Sequence, residues 1–221
     1  MSSQIPDRIR VRRGPRKGRY DEATINAILD RGLFGHLAFV HAGQPVCIPM
    51  LYARVGRRIY VHGSTASRTM RTLADGAAAC LTVTILDGLV LARSVFEHSA
   101  NYQSVMAFGM FARPTDDGER LAALEAFTEK LVPGRWSEVR PPSRQELKGT
   151  MILGMAIEQA SAKERSGPPD DDDGPDAGID TWAGVLPVER SFGAPVPSPG
   201  LRPGISLSRS VRELLASAAE G

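Results

Sequence analysis

The sequence predicts a mainly β protein with a few flanking helices, of the α+β kind, with its antiparallel strands closed into a barrel. Two observations carry this prediction. Short apolar and β-branched runs recur from Phe34 to Gln159, separated by turn residues such as Ala42-Gly43-Gln44, Val55-Gly56 and Asp87-Gly88. Helical periodicity is confined to a few brief stretches between those runs. Six or seven antiparallel strands with two or three covering helices suit a barrel, because closure removes exposed edges. The chain of 221 residues, 42% hydrophobic with a formal charge of +2, is long enough to bury a full core.

Residues 1–17 belong to a basic arm holding Arg8, Arg10, Arg12, Arg13 and Arg16 without periodic apolar residues, which reads as a disordered or surface-lying segment. It lacks the interleaved aromatics and the recognition motif of a nucleic-acid binder, so no nucleic-acid partner is expected. From Asp21 to Arg31, Ile25, Ile28 and Leu29 repeat at helical spacing and Gly32 can close the helix. Phe34 to Val40, Val46 to Ala53 and Arg58 to His62 then read as a meander of strands. Ala66 to Asp75 is helical, with Met70 and Leu73 on one face and Gly76 at its end.

Strands follow at Ala78 to Leu86 and Leu89 to Val95, which Asp87-Gly88 joins as a two-residue hairpin. A further strand covers Tyr102 to Arg113. Glu119 to Leu131 sets Leu121, Leu124, Phe127 and Leu131 on one helix face, ended by Pro133-Gly134, while Glu119, Glu125, Glu129 and Lys130 read as its solvated side. Thr150 to Gln159 supplies the last strand and completes a domain spanning residues 18–165. Residues 166–180 form an acidic, flexible loop in which the series Asp170 to Asp173 reads as solvated. The extension 181–221 carries Trp182 and a short amphipathic helix near Val211 to Ala216, and is expected to pack on the barrel or on a partner subunit.

No apolar run approaches the roughly 20 residues that span a bilayer, so no membrane partner is expected. The amino terminus lacks the apolar centre of a secretory signal, which makes the cytoplasm the default compartment. Cys47 and Cys80 read as small buried hydrophobes. His36, His41, His62 and His98 have no metal-ligand spacing, and His62 stands out because it immediately precedes a polar turn.

That turn, Gly63 to Arg68, presents Ser64, Ser67 and Arg68 where a helix begins. Hydroxyls, free N–H groups and a guanidinium fork are what a phosphate needs, although the same hydroxyls serve equally as helix caps. Arg71, three residues on, is a second phosphate contact or a surface residue.

Taken together, this turn, Asn101-Tyr102-Gln103-Ser104-Val105 with Gly109, Pro133-Gly134-Arg135-Trp136 and Trp182-Ala183-Gly184 with Pro187 resemble the pyridoxamine 5′-phosphate oxidase-like split-barrel flavoproteins. Within that group they resemble the flavin-nucleotide-binding branch related to nitroimidazole-resistance proteins. The resemblance implies a six-stranded antiparallel split barrel of the FMN-binding type, and a homodimer with FMN at the subunit interface. It implies phosphate contacts from Ser64, Ser67 and Arg68, with His62 and Arg71 beside them. Pro49, Met50, Leu51, Gln103 and Ser104 would approach the flavin ring or its ribityl chain, and Trp182 would close the site. No catalytic acid–base residue is needed, since the cofactor carries the redox chemistry. The activity so implied is an FMN-dependent oxidoreductase taking hydride from NADH or NADPH to a small acceptor. A noncatalytic flavin sensor, a haem binder using one of the histidines, and a deazaflavin binder stay open.

Overall fold

The computed structural model describes residues 5–171, 173 and 175–219. Among them ten strands form, three of them short pieces: β1 (Gly18–Arg19), β4 (Ala53–Val55) and β10 (Gly184–Pro187). The longer ones are β2 (Phe34–His41), β3 (Gln44–Leu51), β5 (Arg58–Ser64), β6 (Ala78–Leu91), β7 (Ser99–Met110), β8 (Thr150–Ala156) and β9 (Gln159–Arg165). The helices are α1 (Glu22–Arg31), α2 (Arg68–Ala74), α3 (Asp117–Leu131), α4 (Arg144–Gly149) and α5 (Arg209–Ala219). The large sheet runs β1-β9-β7-β6-β2-β3, with β10 added along β6, and β4-β5-β8 forms a second sheet. All of these pairings are antiparallel.

The two sheets are stitched where Ala112 and Gly154 exchange backbone hydrogen bonds of 2.9 and 2.8 Å. A Cβ on Gly154 would lie 2.8 Å from the Tyr60 ring, so a side chain at this junction would have to displace that ring. Between the sheets lies one core. Leu37, Leu81, Val83 and Val105 enter it from the large sheet, and Ile59, Val61, Leu153 and Met155 from the small one. Strand alternation assigns these residues to the inner face. Ile25, Ile28 and Leu29 of α1 and Met70 and Leu73 of α2 close its ends, as their helical spacing predicts. The Asp21 side chain caps α1 by accepting from Thr24 N–H. The β2–β3 turn is made by Ala42 and Gly43, both at positive φ (49° and 74°), the left-handed pair a two-residue hairpin requires.

Several elements differ from the sequence expectation. Asp87-Gly88 makes no hairpin. Strand β6 continues through it with a register shift against β7 between Leu86 and Gly88, a β-bulge, and the chain reverses only after Leu91. The local Asp-Gly signal yields here because Asp87 is held by Arg31 and by Gln103, while Gly88 to Leu91 pair with β10 on their other edge. The run from Thr150 to Gln159 is two strands, β8 and β9, which belong to different sheets.

On α3 the buried residues are Ala123 and Phe127, which form a small second core with Ala53, Tyr60 and Ile152, whereas Leu121 and Leu131 are exposed. Of its charged side, Glu125 is exposed as expected, whereas Glu119, Glu129 and Lys130 are engaged. Tyr60 donates to Glu119 at 2.7 Å, Glu129 accepts from Gly134 and Trp136 N–H, and the Lys130 ammonium donates to Leu29 O.

In the acidic loop Asp170 and Asp173 are exposed, Asp172 lies outside the described residues, and Asp171 is buried. Asp171 accepts from the Arg93 backbone N–H at 2.6 Å and from its guanidinium at 3.0 Å. The basic arm lies on the sheet, where Val11 N–H donates to the Tyr20 phenol and β1 pairs with β9. Among the described residues no helix is long and apolar enough to cross a membrane.

Candidate functional site

The polar turn leaves β5 at Ser64 and enters α2. Ser67 N–H donates to Ser64 O at 2.9 Å, Ala66 N–H to Ser64 Oγ, and Met70 N–H to Ser67 Oγ at 3.4 Å, so both hydroxyls already cap local backbone. Each hydroxyl still has its own proton to donate. Arg68 and Arg71 are exposed on consecutive turns of α2 and have no hydrogen bond or ion pair among the described residues. Thr65 of the same turn borders an open cleft of about 510 Å³ that also holds Arg113, Arg120 and Lys148, opposed by Asp116 and Asp117.

The expected ring-binding residues lie on the large sheet. Pairing sets Pro49, His36, Thr82, Met106 and Ser161 in one row across five strands, and Cys47, Ala38, Cys80, Phe108 and Gln159 in the next. This outer face carries Pro49, Leu51 and Ser104, while Met50 points inward against the core. Ser104 donates to Lys163 O at 3.2 Å. Gln103 Nε2 donates to Asp87 at 3.0 Å, within the cluster that also includes Arg31. Trp182 is exposed, with its ring against Gly184 just before β10. Within one chain the structure therefore assembles two groups, the turn at the end of the small sheet and the outer face of the large one.

His62 belongs to a third place. Its side chain leaves the small sheet on the α3 side and meets Phe127 edge-on, with ring centroids 4.4 Å apart. It lines a cleft of about 500 Å³ with Leu124, Phe127, Leu131, Trp136 and Val139, and Arg140 paired to Glu146 stands at the rim. Among the described residues, Nδ1 of His62 is buried with no hydrogen-bond partner, and no bond engages the other ring nitrogen. Burial holds the imidazole below its ordinary pKa and so keeps it neutral. A neutral imidazole with both nitrogens uncommitted, in an apolar slot, is suited to ligating a metal centre carried by an apolar group. Among the described residues no group of three or more His, Cys, Asp or Glu converges to hold a bare ion.

The sequence reading singles out His62 but misses its apolar surroundings, because Leu124, Phe127 and Leu131 read as one ordinary apolar helix face.

The family model for pyridoxamine 5′-phosphate oxidase matches residues 21–164. No curated protein matches the chain. Among solved structures, the flavocytochrome Anf3 from Azotobacter vinelandii is 36% identical, with a TM-score of 0.87 over 94% of this chain and 96% of that one. The FAD and heme binding protein from Mycobacterium smegmatis is 39% identical, with a TM-score of 0.84 over 89% of this chain and 96% of that one. A protein described as a 5-nitroimidazole antibiotic resistance protein, from Bacteroides thetaiotaomicron, shares the fold at 17% identity and a TM-score of 0.56, over 66% of this chain and 85% of that one. With two thirds of its length matched by one family and its strands arranged as in these split barrels, the chain belongs to the pyridoxamine 5′-phosphate oxidase family.

Proposed function

We propose that the protein is an oxidoreductase that binds a flavin nucleotide and a haem, works as a homodimer, takes reducing equivalents from NADH or NADPH and delivers them to a small acceptor. The observation that carries this reading is His62, a neutral imidazole with an unpartnered buried nitrogen, facing an apolar cleft. It is supported by relatives 36% and 39% identical, one described as a flavocytochrome and the other as an FAD and heme binding protein. A flavin supplies hydride acceptance and release of single electrons, and a haem supplies one-electron exchange. His62 would ligate the iron. Phe127, Leu131 and Trp136 would exclude water from the macrocycle, and Arg140 at the rim would meet a propionate.

The flavin reading rests on Ser64, Ser67, Arg68 and Arg71 for a phosphate such as that of FMN, and on Pro49, Leu51, Gln103 and Ser104 for its ring and ribityl chain. Gln103 is a neutral amide, so the field at a bound ring would come from Arg31 and Asp87 beside it. The outer face of the large sheet, free of Lys, Arg, Asp and Glu along the rows through Ala38 and His36, is the surface a second subunit would cover.

An absorbance spectrum of the purified protein tests this directly. Flavin bands together with a Soret band are expected, with the flavin bands bleaching under anaerobic NADH or NADPH. His62→Ala is expected to remove the Soret band and leave the flavin bands. A Soret band of unchanged position and intensity in that variant would remove His62 from the site, and a colourless protein that takes up neither cofactor would end the proposal.

A further inference from the structure

The arm that precedes the family-matched region encloses a cleft of about 250 Å³ against strands β7 and β9. The chain fixes that arm in several ways. Val11 N–H donates to the Tyr20 phenol at 2.8 Å, and Arg12 holds both Asp7 oxygens at 2.7 and 2.6 Å. The Arg8 guanidinium lies 4.6 Å above the Phe108 ring. The walls carry Arg8, Arg10, Arg12, Arg13 and Lys163 and no carboxylate. Asp7 neutralises Arg12, Arg10 donates only to the Ile5 carbonyl, and the Arg13 guanidinium and Lys163 ammonium have no hydrogen bond or ion pair among the described residues. On the floor stands Ser161, 8% exposed, whose hydroxyl has no hydrogen bond among the described residues. Ser104 lies beside it on the same outer face.

Two uncommitted cations, a nearly buried hydroxyl without a partner among the described residues, and walls without a carboxylate make a site for a polyanion. The cleft is smaller than the roughly 300–1,000 Å³ that takes a whole drug-sized ligand, so it accepts phosphates and leaves the rest of the molecule outside.

We propose that this cleft binds the diphosphate of a dinucleotide, through Arg13, Lys163 and Ser161. The assignment of that dinucleotide rests on the redox reading above, which offers a flavin nucleotide on the adjoining sheet face, whose adenine dinucleotide form carries a diphosphate, and the nicotinamide donor. The two share an ADP half, so ADP is the probe that needs neither flavin nor turnover.

Equilibrium titration of the full-length protein with ADP and with inorganic pyrophosphate at low salt is expected to show binding that weakens as salt rises. The Arg13→Ala/Lys163→Ala double variant is expected to weaken both by about tenfold or more, and Ser161→Ala by a smaller factor. Both arginine and lysine are on the surface, and unchanged circular dichroism and thermal melting would show that the variants fold. Displacement of ADP by FAD identifies the flavin as the ligand, and displacement by NADPH identifies the donor. Absence of ADP and pyrophosphate binding, or a double variant that binds them like the wild type, overturns the site. ADP that neither dinucleotide displaces overturns the assignment to a dinucleotide. Flavin bands absent from a protein that still binds ADP would count against the redox reading and leave this cleft standing.

Discussion

Lys130 shows how one buried cation is tolerated. Its ammonium donates to Leu29 O at 2.8 Å and sits 3.5 Å from the centroid of the Tyr52 ring, and loss of solvent brings its pKa down to about 8. The unfolded chain keeps the ordinary value near 10.5, so between about pH 8 and pH 10 it binds more protons than the native state, and stability rises with pH across that window. Tyr52, whose phenol donates to the same carbonyl, is pushed upward by burial and opposes this only above about pH 10. Lys130→Met is therefore expected to flatten the rise in denaturation midpoint between about pH 8 and 9.5. A variant with the wild-type slope would mean the ammonium is solvated.

At the other polar end, the Arg68 guanidinium has no partner among the described residues and stands beside a turn whose hydroxyls already cap backbone. Arg68→Ala is expected to weaken flavin nucleotide retention by about 1.5–3 kcal/mol through loss of a charge-assisted contact, measured by fluorescence titration with FMN. An unchanged dissociation constant would leave the turn with a capping role alone.

Among the elements, those whose chemistry is local are the ones legible in the sequence. Helices α1 and α2 follow from Ile25, Ile28, Leu29, Met70 and Leu73 at helical spacing, because a buried face has to repeat with the helix period. The β6 bulge and the division of β8 from β9 were hidden, since each depends on a partner far along the chain. Asp87 is held across 56 residues by Arg31, and Gly154 is claimed by Ala112 while Gln159 is claimed by Phe108. The loop after β9 follows the same logic. Its composition reads as solvated, yet Asp171 is folded inward onto Arg93, and the contact spans 78 residues. Truncating that buried carboxylate removes an acceptor from the Arg93 N–H and guanidinium. Asp171→Ala is thus expected to cost about 2 kcal/mol in urea unfolding and to expose residues 166–180 to limited proteolysis. Equal stability and equal cleavage would show the loop is held by other contacts.

For the whole molecule, the decisive feature is the outer face of the large sheet. Inner residues of β2, β6 and β7 are in the core, and an antiparallel sheet with one solvated side ordinarily alternates apolar with polar residues. Here the outward rows carry Pro49, His36, Thr82 and Met106, and Cys47, Ala38, Cys80 and Phe108, with no acid, lysine or arginine among them. Phe34, Val40 and Met110 stand exposed at 57%, 60% and 65% around them. An apolar face of this extent on a monomer is a liability, and in the homodimer proposed above a second copy would cover it. The sequence could not display it, because the rows draw one residue from each of four strands separated by helices and turns.

Ala38 lies between Cys47 and Cys80 near the middle of that face, so a carboxylate there would be paired with its own symmetry mate or left desolvated in any two-fold arrangement centred on it. Ala38→Glu is expected to convert a protein sedimenting with the mass of two chains into one sedimenting as a single chain, with its circular dichroism unchanged because the glutamate points away from the core. Flavin should be lost in the same step if the cofactor spans the two subunits, whereas a His62-ligated haem, on the opposite side of the small sheet, should stay. A variant that remains a dimer at micromolar concentration would place the subunit contact on another surface.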